Sequence, residues 1–503
     1  MSDASPWDSR NHGGRVTDAS RIEVTSRLDP DERSRLGQFM TPTVVADFMA
    51  TLFTHWPRHI VLLDPGAGIG SLTEAFAERF RQCAPRGAVL EAHGYEIDPL
   101  LLTYLRRQMG DIAERIASSD RRFEGITHDR DFIAEASFLS SMGTPRFTHA
   151  ILNPPYKKMA AASAHRQLTR AAGLETVNLY SAFLGLVVAL MVEGGEVVAI
   201  VPRSFCNGTY FQPFRRFLLG RAAISHIHVF ENRASTFRDD SVLQENIIVR
   251  LVRGADPRSV TLSFSRDTGL HDLVGRKAAF TEIVHPDDPH DFIRIPQAAT
   301  DESRDGPFRH TLAQLGLTVS TGPVVDFRVR AHTLPYPSSD SVPLLYAHHF
   351  REGRLTWPIA HKKPNALMPG SQIHKALMPR GFYTLTRRFS AKEERRRIVA
   401  FVVDPADLPY PLYGFENHLN VFHAGKAGLP EDLARGLAVY LNSSMVDRAF
   451  RTFSGHTQVN DGDLRALRYP DRETLMTYGR WAKRSESPLT QGAIDACVGL
   501  RRD

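Results

Sequence analysis

"HIVLLDPGAGIGSLTEAFAERF", residues 59–80, decides the fold. A short apolar run ends at Asp64, a glycine turn follows, and a helix opens near Ser71. Strand, glycine loop and helix in that order bring backbone N–H groups close to a bound ligand. The glycines fall at Gly66, Gly68 and Gly70, a G-x-G-x-G spacing that does not match the dinucleotide fingerprint G-x-G-x-x-G. Taken alone, such a loop also reads as a tight structural turn.

The flanking segments weigh against that plainer reading. Upstream, "MTPTVVADFMATLF" predicts a helix, with Thr41 as cap, Pro42 at the first position, and Val44, Val45, Phe48, Met49 and Leu52 on one face. Downstream, "AVLEAHGYEIDP" predicts a second strand with Glu96 at its carboxyl end, 28 residues beyond Gly68. An acid there in a doubly wound sheet can accept hydrogen bonds from both hydroxyls of a ribose. Asp98 reads as a turn residue. In "ITHDRDFI", Asp131 and Phe132 can present a carboxylate and an apolar face to an adenine ring. "RFTHAILNPPYKKM" supplies a fourth strand end. Four successive strand ends thus carry ligand-type residues, at the edge where open α/β sheets bind ligands.

"ILNPPYKKM", residues 151–159, has its own logic. Two prolines after Asn153 remove two backbone donors, fix φ, and hold the preceding residues extended. The result is a rigid elbow presenting one amide, Asn153, and one ring, Tyr156. Beyond it, "ETVNLYSAFLGLVVALM" predicts a helix, and "GGEVVAIVPRSF", "ISHIHVFE" and "ENIIVRLVRG" predict strands, taking the first domain to about residue 254.

Bulk properties bound the rest. The 503 residues suffice for two or more cores, and 42% hydrophobic with 23% charged residues is ordinary globular composition. No apolar run spans a membrane, and "MSDASPWDSRNHGGRVTDAS" has no apolar core of a secretory signal. It reads as a poorly ordered lead, residues 1–33, and the sparse, scattered cysteines suit a cytoplasmic protein. Cys83, Cys206 and Cys497 lack metal-ligand spacing, so no metal is expected. A net charge of +6 favours a polyanionic partner.

These motifs resemble those of the N6-adenine DNA methyltransferases of bacterial restriction–modification systems. "GQFMTP" (37–42), "DPGAGIG", "GYEIDP", "DFI" and "NPPY" stand in the order of the gamma class, of which the PstI/BsuBI-like and TaqI-type enzymes are examples. "YLNSSMVDRAFRTFSGHTQVNDGDLRALRYP" (440–470) also resembles the C-terminal recognition region of PstI/BsuBI-like members. The resemblance covers roughly residues 34–254 and 440–470.

It implies an α/β fold: a Rossmann-like S-adenosylmethionine-dependent methyltransferase domain (34–254), a connector (255–310) and a mixed α+β DNA-recognition domain (311–503). Asp64, Thr41 and the glycine loop would serve the cofactor, the last two at its methionine portion, with Glu96 at the ribose and Asp131 with Phe132 at the adenine. The catalytic set would be Asn153, Pro154, Pro155, Tyr156 and Phe237. The Asn153 oxygen and the Pro154 carbonyl would accept from the target N6 amino group, while Tyr156 and Phe237 would stack on a flipped-out base. Double-stranded DNA is the implied partner and a monomer the implied working form, and the resemblance fits equally a chain with a separately encoded companion restriction endonuclease and a solitary methyltransferase. Protein-glutamine and some RNA-guanine methyltransferases share "NPPY", and an RNA or protein substrate, or a subunit active only with a partner, stays open.

From residue 311 the pattern shifts to short strands and loops. "WPIAHKKPN" and "LTRRFSAKEERRR" supply cationic clusters, "KEERRR" reads as an exposed helix, and "SGHTQVNDGDL" offers Gly455, His456, Gln458 and Asn460 for lining a DNA cleft.

Overall fold

The computed structural model describes residues 18–27, 40–143, 145–231, 245–256, 258–286, 288–295, 308–351, 353–371, 373–390, 394–454, 458–485 and 488–499. They fall into two compact units, Met1–Asp301 and Glu302–Asp503. Among the described residues no helix is long and apolar enough to cross a membrane.

The first unit has the Rossmann-like α/β architecture that its alternating elements predict. Its strands are β1 (His59–Pro65), β2 (Val89–Tyr95), β3 (Arg122–His128), β4 (Phe147–Leu152), β5 (Met191–Pro202), β6 (Ala222–Phe230), β7 (Asn246–Arg253), β8 (Ser259–Ser265) and β9 (Val274–Ala279). They form one sheet in the order β3-β2-β1-β4-β5-β7-β6-β8-β9. The first five pair in parallel, and β7 enters antiparallel between β5 and β6. The chain steps outward from β1 to β3, then returns to the other side of β1 with β4. That reversal opens a crevice at the carboxyl ends of β1 and β4.

Side-chain alternation explains why this sheet is covered on both faces. Val61 and Leu63 of β1 join one core cluster, with Phe132, Leu152 and Leu184. Ile60 and Leu62 join the other, with Phe76, Leu90 and Ile151. A strand buried on both sides reads as a continuous apolar run, as "IVLL" does.

The helices that matter for the site are α1 (Asp18–Arg27), α2 (Thr43–Thr51), α3 (Ser71–Cys83), α4 (Pro99–Ala117), α5 (Phe132–Ser141), α6 (Ala164–Ala171) and α7 (Leu179–Leu190). Pro42, with extended ψ of 145°, is the N-cap of α2, and no side chain caps that helix, so Thr41 is not the cap its position predicts. Asp98 caps α4 by accepting from the Leu100 and Leu101 N–H groups.

Two expected boundaries differ from the structure. Residues 18–27, assigned above to a poorly ordered lead, form α1, whose Val24 packs with Ile69 and Leu101. The stretch 255–310, read as a connector, contributes β8 and β9 to the sheet. Val260, Leu262 and Phe264 alternate inward and are fully buried. Polar, Pro/Asp-rich neighbours mask that short period-2 signal, while the open edge of β6 supplies the backbone partners that make it a strand.

The second unit mixes small sheets with helices. One antiparallel sheet orders Thr318–Thr321, Leu419–His423, Tyr383–Arg387 and Ala400–Val403. A five-stranded sheet is built on Val342–Leu345 and Leu412–Phe415. Helices Glu431–Leu441 and Arg472–Arg484 cross at Gly436 and Gly479, where a methyl group would overlap the backbone of the facing helix.

Residues 394–397 of "KEERRR" form no helix, and its last two arginines face inward. Arg397 is 2% exposed, lies over the Phe450 ring, and its N–H donates to Asp447. Arg396 binds Asn442 and Gln491. Arg387 pairs with Glu394. The Asn442 carbonyl and Gln491 amide oxygen for Arg396, and the Ser454 carbonyl with the Phe450 ring for Arg397, replace part of the hydration of these two guanidinium groups.

Candidate active site

The carboxyl ends of the parallel strands border a cavity of about 490 Å³. Thr41, Gly66, Gly68, Glu96, Asp131, Phe132, Asn153 and Pro155 all line it, although they span 115 residues of sequence and enter from separate loops.

The glycine loop is bent by necessity. Gly68 and Gly70 have φ of +58° and +87°, a region L side chains rarely adopt. A Cβ at Gly70 would press on Leu105 and Gln108 of α4, whereas one at Gly68 would meet nothing within 4 Å. The loop therefore packs tightly behind and leaves open space where it lines the cavity. The Gly66 and Ala67 N–H groups both donate to the Tyr95 carbonyl, tying the loop to the end of β2.

Glu96 is 6% exposed. Its Oε2 accepts from the Gly68 N–H at 3.0 Å and its Oε1 from the Asp98 N–H at 2.8 Å. Burial pushes its carboxyl above the usual range, and these two donors pull it partly back. Each oxygen keeps a second lone pair, so this pair of acceptors fits the two hydroxyls of a vicinal diol.

Asp64 is placed differently from the expectation. It lies beneath the loop, 1% exposed and outside the cavity lining, with Oδ2 accepting from the Thr73 hydroxyl of α3 at 2.7 Å. Burial pushes its carboxyl up to about 7 despite that bond. Asp64 therefore anchors the helix start behind the cavity.

Asp131 caps α5, with Oδ1 accepting from the Ala134 N–H, and its Oδ2 meets His165 Nε2 at 2.7 Å. Phe132 is 4% exposed, and its ring packs against Tyr95 and Phe183 at centroid distances of 5.3 and 5.0 Å. These groups form an apolar wall beside a carboxylate, which suits an aromatic heterocycle bearing an exocyclic amine.

Asn153 Nδ2 donates to Thr41 Oγ1 at 3.0 Å. Its Oδ1 lies 2.9 Å from the Tyr156 hydroxyl, which also lies 3.1 Å from the Ile200 carbonyl. Burial pushes the Tyr156 phenol above its ordinary value, so the hydroxyl stays protonated. Its ring meets Tyr180 edge-on at 6.2 Å, and Pro154 is buried behind the elbow. Phe237 lies outside the described residues, as do Gly37, Gln38 and Phe39 of "GQFMTP" and Gly455 and His456.

Residues 98–237 match the model of the Eco57I restriction-modification methylase family. The type II methyltransferase M.BsuBI of Bacillus subtilis is 43% identical over 96% of both chains. The type II methyltransferase M.PstI of Providencia stuartii is 41% identical over 92% of both. The chain belongs to the BsuBI/PstI family of type II methyltransferases. Among solved structures, the type IIG restriction endonuclease BpuSI is similar with a TM-score of 0.48 at 13% identity, over 96% of this chain and 68% of that one.

In this BsuBI/PstI-type methyltransferase the cavity also contains residues that motif reading passed over. His165, Phe183, Met159 and Tyr95 line it. Tyr95 stands inside a motif already quoted, and its place at the end of β2 was the available signal. His165 and Phe183 sit in segments of unremarkable composition, and only packing brings them to the wall.

Proposed function

We propose that this chain transfers a methyl group from S-adenosylmethionine to the N6 amino group of an adenine flipped out of double-stranded DNA. The observation that carries the reading is the Asn153 amide standing on the wall of the same cavity as the glycine loop, Glu96 and the Asp131–Phe132 pair.

The donor supplies an electrophilic methyl group on a sulfonium that departs as a neutral thioether. The N6–C bond forms as the S–C bond breaks, and one N6 proton passes to solvent. Adenine N6 is a poor nucleophile because its lone pair is delocalised into the ring. Asn153 Oδ1 and the Pro154 carbonyl act as acceptors for the N6–H bonds, localising the pair and stabilising the positive charge that grows on nitrogen. Proline's fixed φ keeps that carbonyl aimed. Tyr156 and Phe237 hold the base, Glu96 the ribose of the donor, and Asp131 with Phe132 its adenine. The glycine loop lets backbone approach the methionine portion. Residues 311–503 serve as the DNA reader, and the chain is the modification enzyme of a restriction–modification pair or a solitary equivalent.

The test is expression in a methylation-deficient bacterial host, with modified bases mapped by single-molecule sequencing and Asn153→Ala as control. N6-methyladenine at one short motif, absent in the variant, is the expected result. A genome without it in the wild type rejects the reading.

A further inference from the structure

Thr41 stands where a helix cap is expected, yet it caps nothing in α2. Its hydroxyl instead reaches across 112 residues to Asn153 Nδ2 at 3.0 Å, and the residue is 4% exposed. At the other end of the same amide, Oδ1 lies 2.9 Å from the Tyr156 hydroxyl. The amide is thus held at both ends, one anchor coming from within its own motif and the other from the segment that leads into α2.

Why two anchors matter follows from side-chain mechanics. The terminal torsion of asparagine is broad, so its own rotamer does not set the plane of the amide. Hydrogen bonding falls off steeply with angle, and an acceptor stabilises growing charge only when it points at the donor. A hydrogen bond at Oδ1 does not by itself fix rotation of the amide about that contact. The bond at Nδ2 to Thr41 adds a constraint at the opposite end of the amide. Pro42 follows Thr41 with φ of −58° and is the N-cap of α2, so the hydroxyl is carried on fixed backbone.

We infer that Thr41 is a positioning residue for Asn153, orienting the acceptor oxygen for methyl transfer, beyond any contact it makes with the methyl donor. The inference rests on the adenine-N6 reading above.

The experiment compares wild type, Thr41→Val, which keeps the shape and loses the hydroxyl, and Thr41→Ser, which keeps the hydroxyl. The probe is genomic DNA from a methylation-deficient bacterium, with labelled methyl transfer giving kcat and calorimetry giving the S-adenosylmethionine Kd. Thr41→Val is expected to lower kcat by about 10–100-fold, the loss that follows a misaligned reacting group, and saturating S-adenosylmethionine does not restore it. Thr41→Ser is expected to recover most of kcat. If Thr41→Val raises Kd and spares kcat, Thr41 is a donor contact and the inference fails. If serine fails to rescue at unchanged Tm, the role is packing, and the inference fails again. Should valine perturb folding, Thr41→Ala gives the same split between kcat and Kd. A wild type that yields no N6-methyladenine overturns the functional reading itself, an outcome separate from a wild type that methylates beside an equally active Thr41→Val.

Discussion

His165 Nε2 lies 2.7 Å from Asp131 Oδ2, joining the first turn of α6 to the start of α5 across 34 residues. Both side chains are over a third exposed, so the pair adds little to stability. Its place on the cavity wall gives it another use. The imidazole holds the Asp131 carboxylate while leaving a lone pair on each oxygen for a ligand amine. His165→Ala is expected to raise the S-adenosylmethionine Kd about 3–10-fold, one modest polar contact in magnitude, with kcat at saturation unchanged. An unaltered Kd by calorimetry would dismiss this role.

Asn153→Ala removes the acceptor and is expected to cut methylation by about 10²–10³-fold, the usual cost of losing one preorganised oxyanion-type partner. Donor binding should survive. Turnover near wild type in a single-turnover assay would remove Asn153 from the chemistry.

Glu96→Ala should weaken donor binding by about 10–100-fold, since hydrogen bonds to a charged acceptor are worth roughly 1.5–3 kcal/mol. The same change frees the Gly68 N–H, so loosening of the glycine loop is part of the loss. Equilibrium titration decides it, and a Kd equal to wild type would refute the ribose assignment.

Two buried groups give stability opposite pH dependences. Asp64 is pushed up to about 7 from 3.8, so the folded state binds its proton more tightly than the unfolded chain does. Its contribution is complete below about pH 4 and is lost as pH rises through 7. Asp64→Asn should flatten that decline. His228 is buried between Ser263 and Ser265 and pushed down to about 3. Its contribution is present above about pH 6.5 and is lost as pH falls toward 3. Urea denaturation of wild type and Asp64→Asn between pH 4 and 8 measures the Asp64 slope, and parallel curves would contradict it.

Gly436→Ala would drive a methyl into the Leu475 carbonyl where two helices of the second unit cross. A destabilisation of about 2–4 kcal/mol is expected, in the range of core overpacking and backbone displacement. A Tm within a degree of wild type would mean the helices separate freely.

Much of the site was legible because each motif is local. The glycine loop and the Asn-Pro-Pro-Tyr elbow each end a strand whose apolar run is visible in the sequence, and Glu96 and the Asp131–Phe132 pair follow the more polar strands β2 and β3. Backbone geometry at those points is set by Gly, Pro and capping residues within a few positions. Asp64 misled the same logic: it ends the apolar run of β1, yet its side chain turns under α3 to meet Thr73.

What sequence alone determined, then, were the strands β1 to β7, their order along the chain and the residue types at the strand ends, because those follow from short-range periodicity and turn chemistry. Tertiary structure alone decided which of those residues meet. The Thr41–Asn153 bond, the His165–Asp131 pair, β8 and β9, and the inward turn of Arg396 and Arg397 all depend on partners far away in the chain. A polar side chain, unlike a hydrophobic stripe, carries no period that announces its partner, and only the packed sheet and helices bring the matching donor or acceptor within 3 Å.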